Sequence, residues 1–208
     1  RDYYASRGLG DVYKRQPLLH PNTLKTKAII HFQTDHILTR FVFPPLNKTN
    51  MKTLEFIKLN ESGANNVVAS LQQLLADFQV YYTNLRGFHW NIKGHNFFVL
   101  HSQFEKMYDD TAEKVDEIAE RILMLGGTPA NKFSDYLKVA NINEVDKVSN
   151  GDEALNSILQ SISYLIGEER KILSIASQAG DEVTVSMMSD YLKEQEKLVW
   201  MLVAYNSK

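Results

Sequence analysis

From Ser62 onward, apolar side chains recur at steps of three and four residues, the spacing that gathers them on one face of a helix. Val67, Leu71, Leu74, Leu75, Phe78, Tyr81, Leu85 and Phe88 keep that step and predict a first helix from Ser62 to Trp90. Asn91 to Asn96, with Gly94, breaks it and turns the chain. Leu100, Phe104, Met107, Tyr108, Val115, Ile118, Ile122 and Leu125 predict a second helix from Phe97 to Leu125, stopped by Gly126-Gly127 with Pro129 beyond. Residues 130–150 form a long connection, with one short helix expected at Phe133 to Val139. A third helix begins at Asn150-Gly151-Asp152, with Asp152 expected as its cap. Its core face is Ala154, Leu155, Ile158, Leu159, Ile162, Leu165, Ile166, Ile172, Leu173 and Ala176, and Gly180 ends it. The fourth starts at Asp181 or Thr184 and turns Val183, Met187, Tyr191, Leu192, Leu198, Val199 and Leu202 inward, with Trp200 expected to pack. The expected fold class is all-α: a four-helix bundle with a short extra helix in the long connection between its second and third helices.

Composition divides the chain near position 50. Residues 1–50 hold four of the five prolines, no methionine and no sustained helical or strand period. They carry 8 Lys and Arg against 3 Asp and Glu, whereas residues 51–208 carry 15 against 22, a net charge of −7. The opening RDYYASRGLGDVYKRQ resembles a translated sequencing adapter, and Met51 stands as a natural start. Residues 1–50 are therefore expected to be a non-native or disordered leader, and 51–208 the domain. The rival reading of the leader is a basic arm that binds DNA. The chain has no cysteine, which excludes disulfides and thiolate metal sites and fits a reducing, cytoplasmic setting. No apolar run approaches the roughly 18 residues of a membrane span.

The candidate chemistry lies between Phe88 and Glu120. This stretch holds His89, His95 and His101 with seven acids: Glu105, Asp109, Asp110, Glu113, Asp116, Glu117 and Glu120. At about 100° per residue, with His101 at the origin, the apolar side chains of the second helix fall at roughly 240–340°. Glu105, Asp116, Asp109 and Glu120 fall at roughly 40–100°, on the flank that His101 occupies. An acidic flank alone is as well explained by solvation. Imidazole with carboxylates, however, is a ligand set suited to iron, zinc or manganese. Asp116 and Glu120, four residues apart, can reach one ion. His101 and Asp116 are separated by fifteen residues, about 22 Å along a helix, so one chain cannot offer both to one ion. An identical helix packed antiparallel, crossing near Asp109, would bring His101 of one subunit to Asp116 and Glu120 of the other, twice per two-fold dimer. His95, in the turn, is expected to face solvent.

The residues His89-Trp90, Gly94, Phe97, Leu100-His101, Phe104, Tyr108 and Asp116-x-x-Ala119-Glu120-Arg121 carry a resemblance to the Dps family, the mini-ferritins that protect bacterial DNA during starvation. It runs from about Leu54 to the C-terminus and includes Gly126-Gly127-x-Pro129, Gly180-Asp181 and Trp200-Met201-Leu202. The resemblance implies a ferritin-like bundle and a dodecamer built from two-fold dimers. It also implies a ferroxidase site between subunits, with His89 and His101 from one chain and Asp116 and Glu120 from its mate, and Glu105 as the further expected ligand. Fe(II) would be oxidised there, preferably by hydrogen peroxide rather than O2, and Fe(III) stored as oxide in the shell. Ordinary di-iron bundles hold metal within one subunit through Glu-x-x-His motifs. Here the residues three before His89, His95 and His101 are Arg86, Ile92 and Phe98, which favours the interface site.

Three further expectations accompany this reading. Trp90 is a candidate electron donor to the site, against a packing role. Asp181, Asp190 and Glu194 are candidate iron-entry residues, against a solvated surface. DNA binding is doubtful, because affinity for phosphate needs basic charge and residues 51–208 are acidic. The competing functions are a DNA-compacting nucleoid protein with secondary metal binding, and a bundle that holds zinc or manganese without turnover.

Overall fold

The computed structural model describes residues 52–207. The expectations for residues 1–50 lie outside the described residues. Six helices and no strand make up the described part: α1 (Thr53–Ile57), α2 (Glu61–Asn91), α3 (Phe97–Met124), α4 (Phe133–Val139), α5 (Gly151–Ala179) and α6 (Glu182–Asn206). The four long helices and α4 stand where the apolar periodicity predicts them, with ends displaced by at most two residues. The short α1 was not anticipated.

Helix ends follow local chemistry. The Asn60 side chain accepts from the Ser62 and Gly63 amides and starts α2. At α5 the expected cap is corrected. Asn150, not Asp152, receives the Glu153 amide, and Asp152 lies inside the first turn. Asp181 caps α6 by accepting from the Thr184 amide. Gly126 and Gly180 close α3 and α5 with φ of 81° and 69°, left-handed values that a Cβ disfavours.

Contacts at the helix ends give the topology. Lys93, just past α2, donates its backbone N–H to Ser149 at 3.1 Å, and Gly151 faces Leu100 near the start of α3. Gly63 near the start of α2 meets Ala179 at the end of α5, where an added Cβ would lie 2.9 Å from the Ala179 Cβ. Arg121 near the end of α3 pairs with Asp181 at the start of α6. Helices α2 and α3 are therefore antiparallel neighbours, α5 runs parallel to α3, and α6 returns alongside it. The connection after α3 must travel the length of the bundle, as in bundles with one long crossover.

The core is one apolar cluster. Leu71, Leu74, Phe78 and Leu85 from α2, Phe104, Ile118 and Ile122 from α3, and Leu155, Ile158 and Leu165 from α5 are essentially inaccessible. Leu202 joins from α6. Val183, expected inward, is instead exposed, as is Trp200. Val183 follows the cap within the first turn of α6, where the helix face is set by Thr184 and Asp181 turning in toward Arg121.

Two buried polar side chains of α2 pin the crossover. Asp77 accepts the Asn141 and Ile142 amides at 2.6 and 3.0 Å and the Tyr164 hydroxyl at 3.0 Å. Asn84 accepts the Val145 amide at 3.0 Å and donates to the Asn143 carbonyl at 2.9 Å. Backbone groups that no helix satisfies thus find partners one helix away.

Candidate metal centre

The helix break at 92–96 folds the start of α3 back beside the end of α2, so His89 and His101 meet. Their rings stack with centroids 3.8 Å apart and planes 19° apart. Each ring is held by the other's backbone: His89 Nδ1 bonds the His101 carbonyl and His101 Nδ1 bonds the His89 carbonyl, both at 2.8 Å. A carbonyl only accepts, so both Nδ1 atoms carry the hydrogen, and in the neutral ring each Nε2 keeps a lone pair. A backbone carbonyl that fixes the tautomer and orientation of an imidazole is the usual support of a metal-ligating histidine. His89 is buried and His101 half-buried, and Phe97 stacks on the far side of His101 at 4.9 Å.

The carboxylates do not join the histidines within the chain. Glu105, Asp116 and Glu120 are all exposed along α3. Among the described residues, no three His, Cys, Asp or Glu side chains gather closely enough to hold an ion. The candidate ligands thus fall in two groups within one chain: an imidazole pair where the end of α2 meets the start of α3, and a carboxylate pair one turn apart farther along α3. His95 is exposed in the turn, as expected.

Besides Phe97, Tyr108 also touches the histidine pair. Its ring stands edge-on to His89 at 5.3 Å, with Tyr82 behind it at 6.1 Å. Burial, then the charges of Glu105 and Asp109, push its phenol upward. The sequence places Tyr108 in the core stripe and among the residues of the family resemblance, without a role at the site. Its offset of seven residues from His101, about two turns, was the signal that it shares that histidine's face. Trp90 is exposed, and its contact is Arg86, whose guanidinium lies 4.7 Å from the ring centroid.

The acids proposed for iron entry are differently committed. Asp181 is buried, holding Arg121 at 2.5 Å and the Thr184 hydroxyl at 2.6 Å, so it is a structural clamp rather than a pore lining. Glu194 pairs with Lys114 at 2.7 Å, which also holds Asp110 at 2.7 Å. Burial pulls the Lys114 ammonium down, but these two hydrogen bonds outweigh it and leave the group raised. Asp190 is exposed.

Four long helices with antiparallel neighbours and one long crossover define a ferritin-like bundle, and comparison with known proteins agrees. A family model described as Ferritin-like domain matches residues 68–208. The DNA protection during starvation protein of Porphyromonas gingivalis is 54% identical over 157 residues, covering 76% of this chain and 99% of that protein. The Dps crystal structure from Vibrio cholerae O1, described as a member of a superfamily of ferritin-like diiron-carboxylate proteins, superposes with a TM-score of 0.73 at 43% identity. It covers 76% of this chain and all of that one. A Dps structure from Bacillus brevis gives 0.68 at 34% identity, covering 70% and 98%. The chain belongs to the Dps family of ferritin-like proteins.

Proposed function

We propose that this protein oxidises and stores iron. Fe(II), the substrate, binds where His89 and His101 of one subunit meet Asp116 and Glu120 of a two-fold mate, with Glu105 as a further ligand. The observation that carries this reading is the reciprocal backbone lock of the two imidazoles, which leaves two Nε2 lone pairs on a site that one chain cannot complete. Carboxylates favour the harder Fe(III) once it forms, and imidazoles hold the borderline Fe(II). Hydrogen peroxide is the preferred oxidant, with O2 as the alternative, because a two-electron oxidant shared between two ferrous ions forms no hydroxyl radical. The ferric product is stored within a shell of twelve subunits.

Support for the partner subunit comes from exposed apolar side chains near the histidines and on α4. Phe98, Val99, Phe133 and Leu137 are all solvent-facing in the single chain, more than an isolated surface accounts for. Protection of DNA follows in this reading from removal of iron and peroxide rather than from coating the duplex, since residues 51–208 carry a net −7. In this reading residues 51–208 are the domain, and protein starting at Met51 is expected to carry the full activity.

Subunit mixing tests the shared site. His101→Ala and Asp116→Ala are each expected to abolish peroxide-dependent Fe(II) oxidation. A dimer with one of each keeps one site whole, because both lesions fall in the other. Random reassembly at equal amounts should restore about a quarter of the wild-type rate, half the dimers being mixed and half their sites intact. Mixtures that stay inactive after verified subunit exchange would exclude a site built from two chains.

A further inference from the structure

Inside the bundle, away from the histidine pair, α5 and α6 are joined by a polar contact that the iron chemistry does not use. Glu169 is fully buried and Gln195 nearly so. The Gln195 amide Nε2 donates to Glu169 Oε1. The second carboxyl oxygen, Glu169 Oε2, and the amide oxygen, Gln195 Oε1, are buried with no hydrogen-bond partner among the described residues. Two acceptor oxygens without a donor are a costly arrangement for a native core, and an ionised carboxylate would make it costlier.

One proton removes both deficits. The geometry points to Glu169 as a neutral carboxylic acid that donates from Oε2 to Gln195 Oε1 while accepting the amide N–H at Oε1, a two-bond ring that ties α5 to α6 and opens when the acid ionises. A carboxylic acid and a primary amide are complementary in this way, each offering one donor and one acceptor. In the ionised state the amide oxygen and a carboxylate oxygen would face each other with no donor between them.

The surroundings favour the neutral form. Lys114 of α3 and Arg170 of α5 are the charges that act on Glu169, and α2 contributes none. Lys114 is already held by Asp110 and Glu194. Arg170 is turned outward to Glu196 at 2.6 Å. From α6, Tyr191 lies near, but its hydroxyl is engaged by Glu117 at 2.7 Å. Burial pushes the Glu169 carboxyl up to about 8, against the opposing pull of the Gln195 hydrogen bond and of these two cations.

The sign of the pH effect follows. The unfolded carboxyl ionises near 4.5 and the folded one near 8, so between those values the unfolded chain binds fewer protons. Stability from this group is complete below about 4.5, declines as pH rises, and is gone above about 8. Within that window each pH unit shifts the folding equilibrium about tenfold.

Infrared spectroscopy and thermal melting of the assembled protein test this. At pH 7 the wild type should show the carbonyl stretch of a neutral acid that Glu169→Gln lacks, disappearing with a midpoint near 8. The melting temperature of the wild type relative to Glu169→Gln should fall steadily from pH 5 to about pH 8 and then level off. If Glu169→Gln fails to assemble, Glu169→Met serves as reference, because a neutral buried acid can be replaced by an apolar side chain of similar size. The absence of a neutral-acid band at pH 7, or a band that titrates near the ordinary value of 4.5, would overturn the assignment.

Discussion

Replacing Asp77 by alanine should loosen the crossover while leaving the four long helices in place. The side chain is fully buried on α2, and its two oxygens receive four donors. Oδ1 takes the Asn141 and Ile142 amides, and Oδ2 takes the Tyr164 hydroxyl at 3.0 Å and the Gln73 amide at 2.9 Å. Gln73 keeps its second bond to the Val139 carbonyl, and Asn141 is exposed, so water can serve that amide. The Ile142 amide and the Tyr164 hydroxyl cannot be served so readily. Burial pushes the Tyr164 phenol up to about 12, so it remains a donor at any working pH. Two buried donors left without a partner, at about 1–3 kcal/mol each with the half-buried tyrosine at the low end, come to about 3 kcal/mol. For a chain of this size that is a fall of roughly 6–12 °C in melting temperature. Asp77→Asn retains a carbonyl oxygen for the two amides and should cost only about 1 kcal/mol. Guanidinium unfolding measures the loss, and limited proteolysis locates it, with cleavage expected between 130 and 150. Asp77→Ala matching the wild type in both measurements, or Asp77→Asn being as damaging as Asp77→Ala, would refute the acceptor role, since asparagine keeps an oxygen that alanine removes.

Two other outcomes follow from the buried and surface charges. Arg121→Met leaves Asp181 buried without its cation and should cost about 3–5 kcal/mol in chemical denaturation. The Arg121→Met, Asp181→Asn double variant should recover part of it, because no lone charge remains buried. Protein from Met51 onward should bind duplex DNA weakly or not at all at about 0.15 M salt, and sub-micromolar affinity in a gel shift would contradict the charge argument.

The sequence by itself determined the four long helices and α4 but not α1, because the apolar residues of the long helices repeat with a local period and burial follows that period wherever a face meets the core. It also offered the candidate ligands. His101, Asp116 and Glu120 lie on one flank at a separation that no single ion can bridge, a statement that needs only the rise of a helix. The tertiary structure decided what polar side chains do when they are buried. Asp77, Asn84, Arg121 and Glu169 look in the sequence like ordinary polar positions, yet each is buried because its partner arrives from 26 to 87 residues away. The reciprocal bonds between His89 and His101 depend on the turn at 92–96 closing at one angle, which a separation of twelve positions does not specify. Val183 obeys the helical period yet faces solvent, because the buried clamp of Asp181 and Thr184 on Arg121 sets the rotation of that first turn. Periodicity reports which face of a helix is apolar. Which polar groups that face encloses is fixed only when another helix supplies the donor or charge that makes their burial affordable.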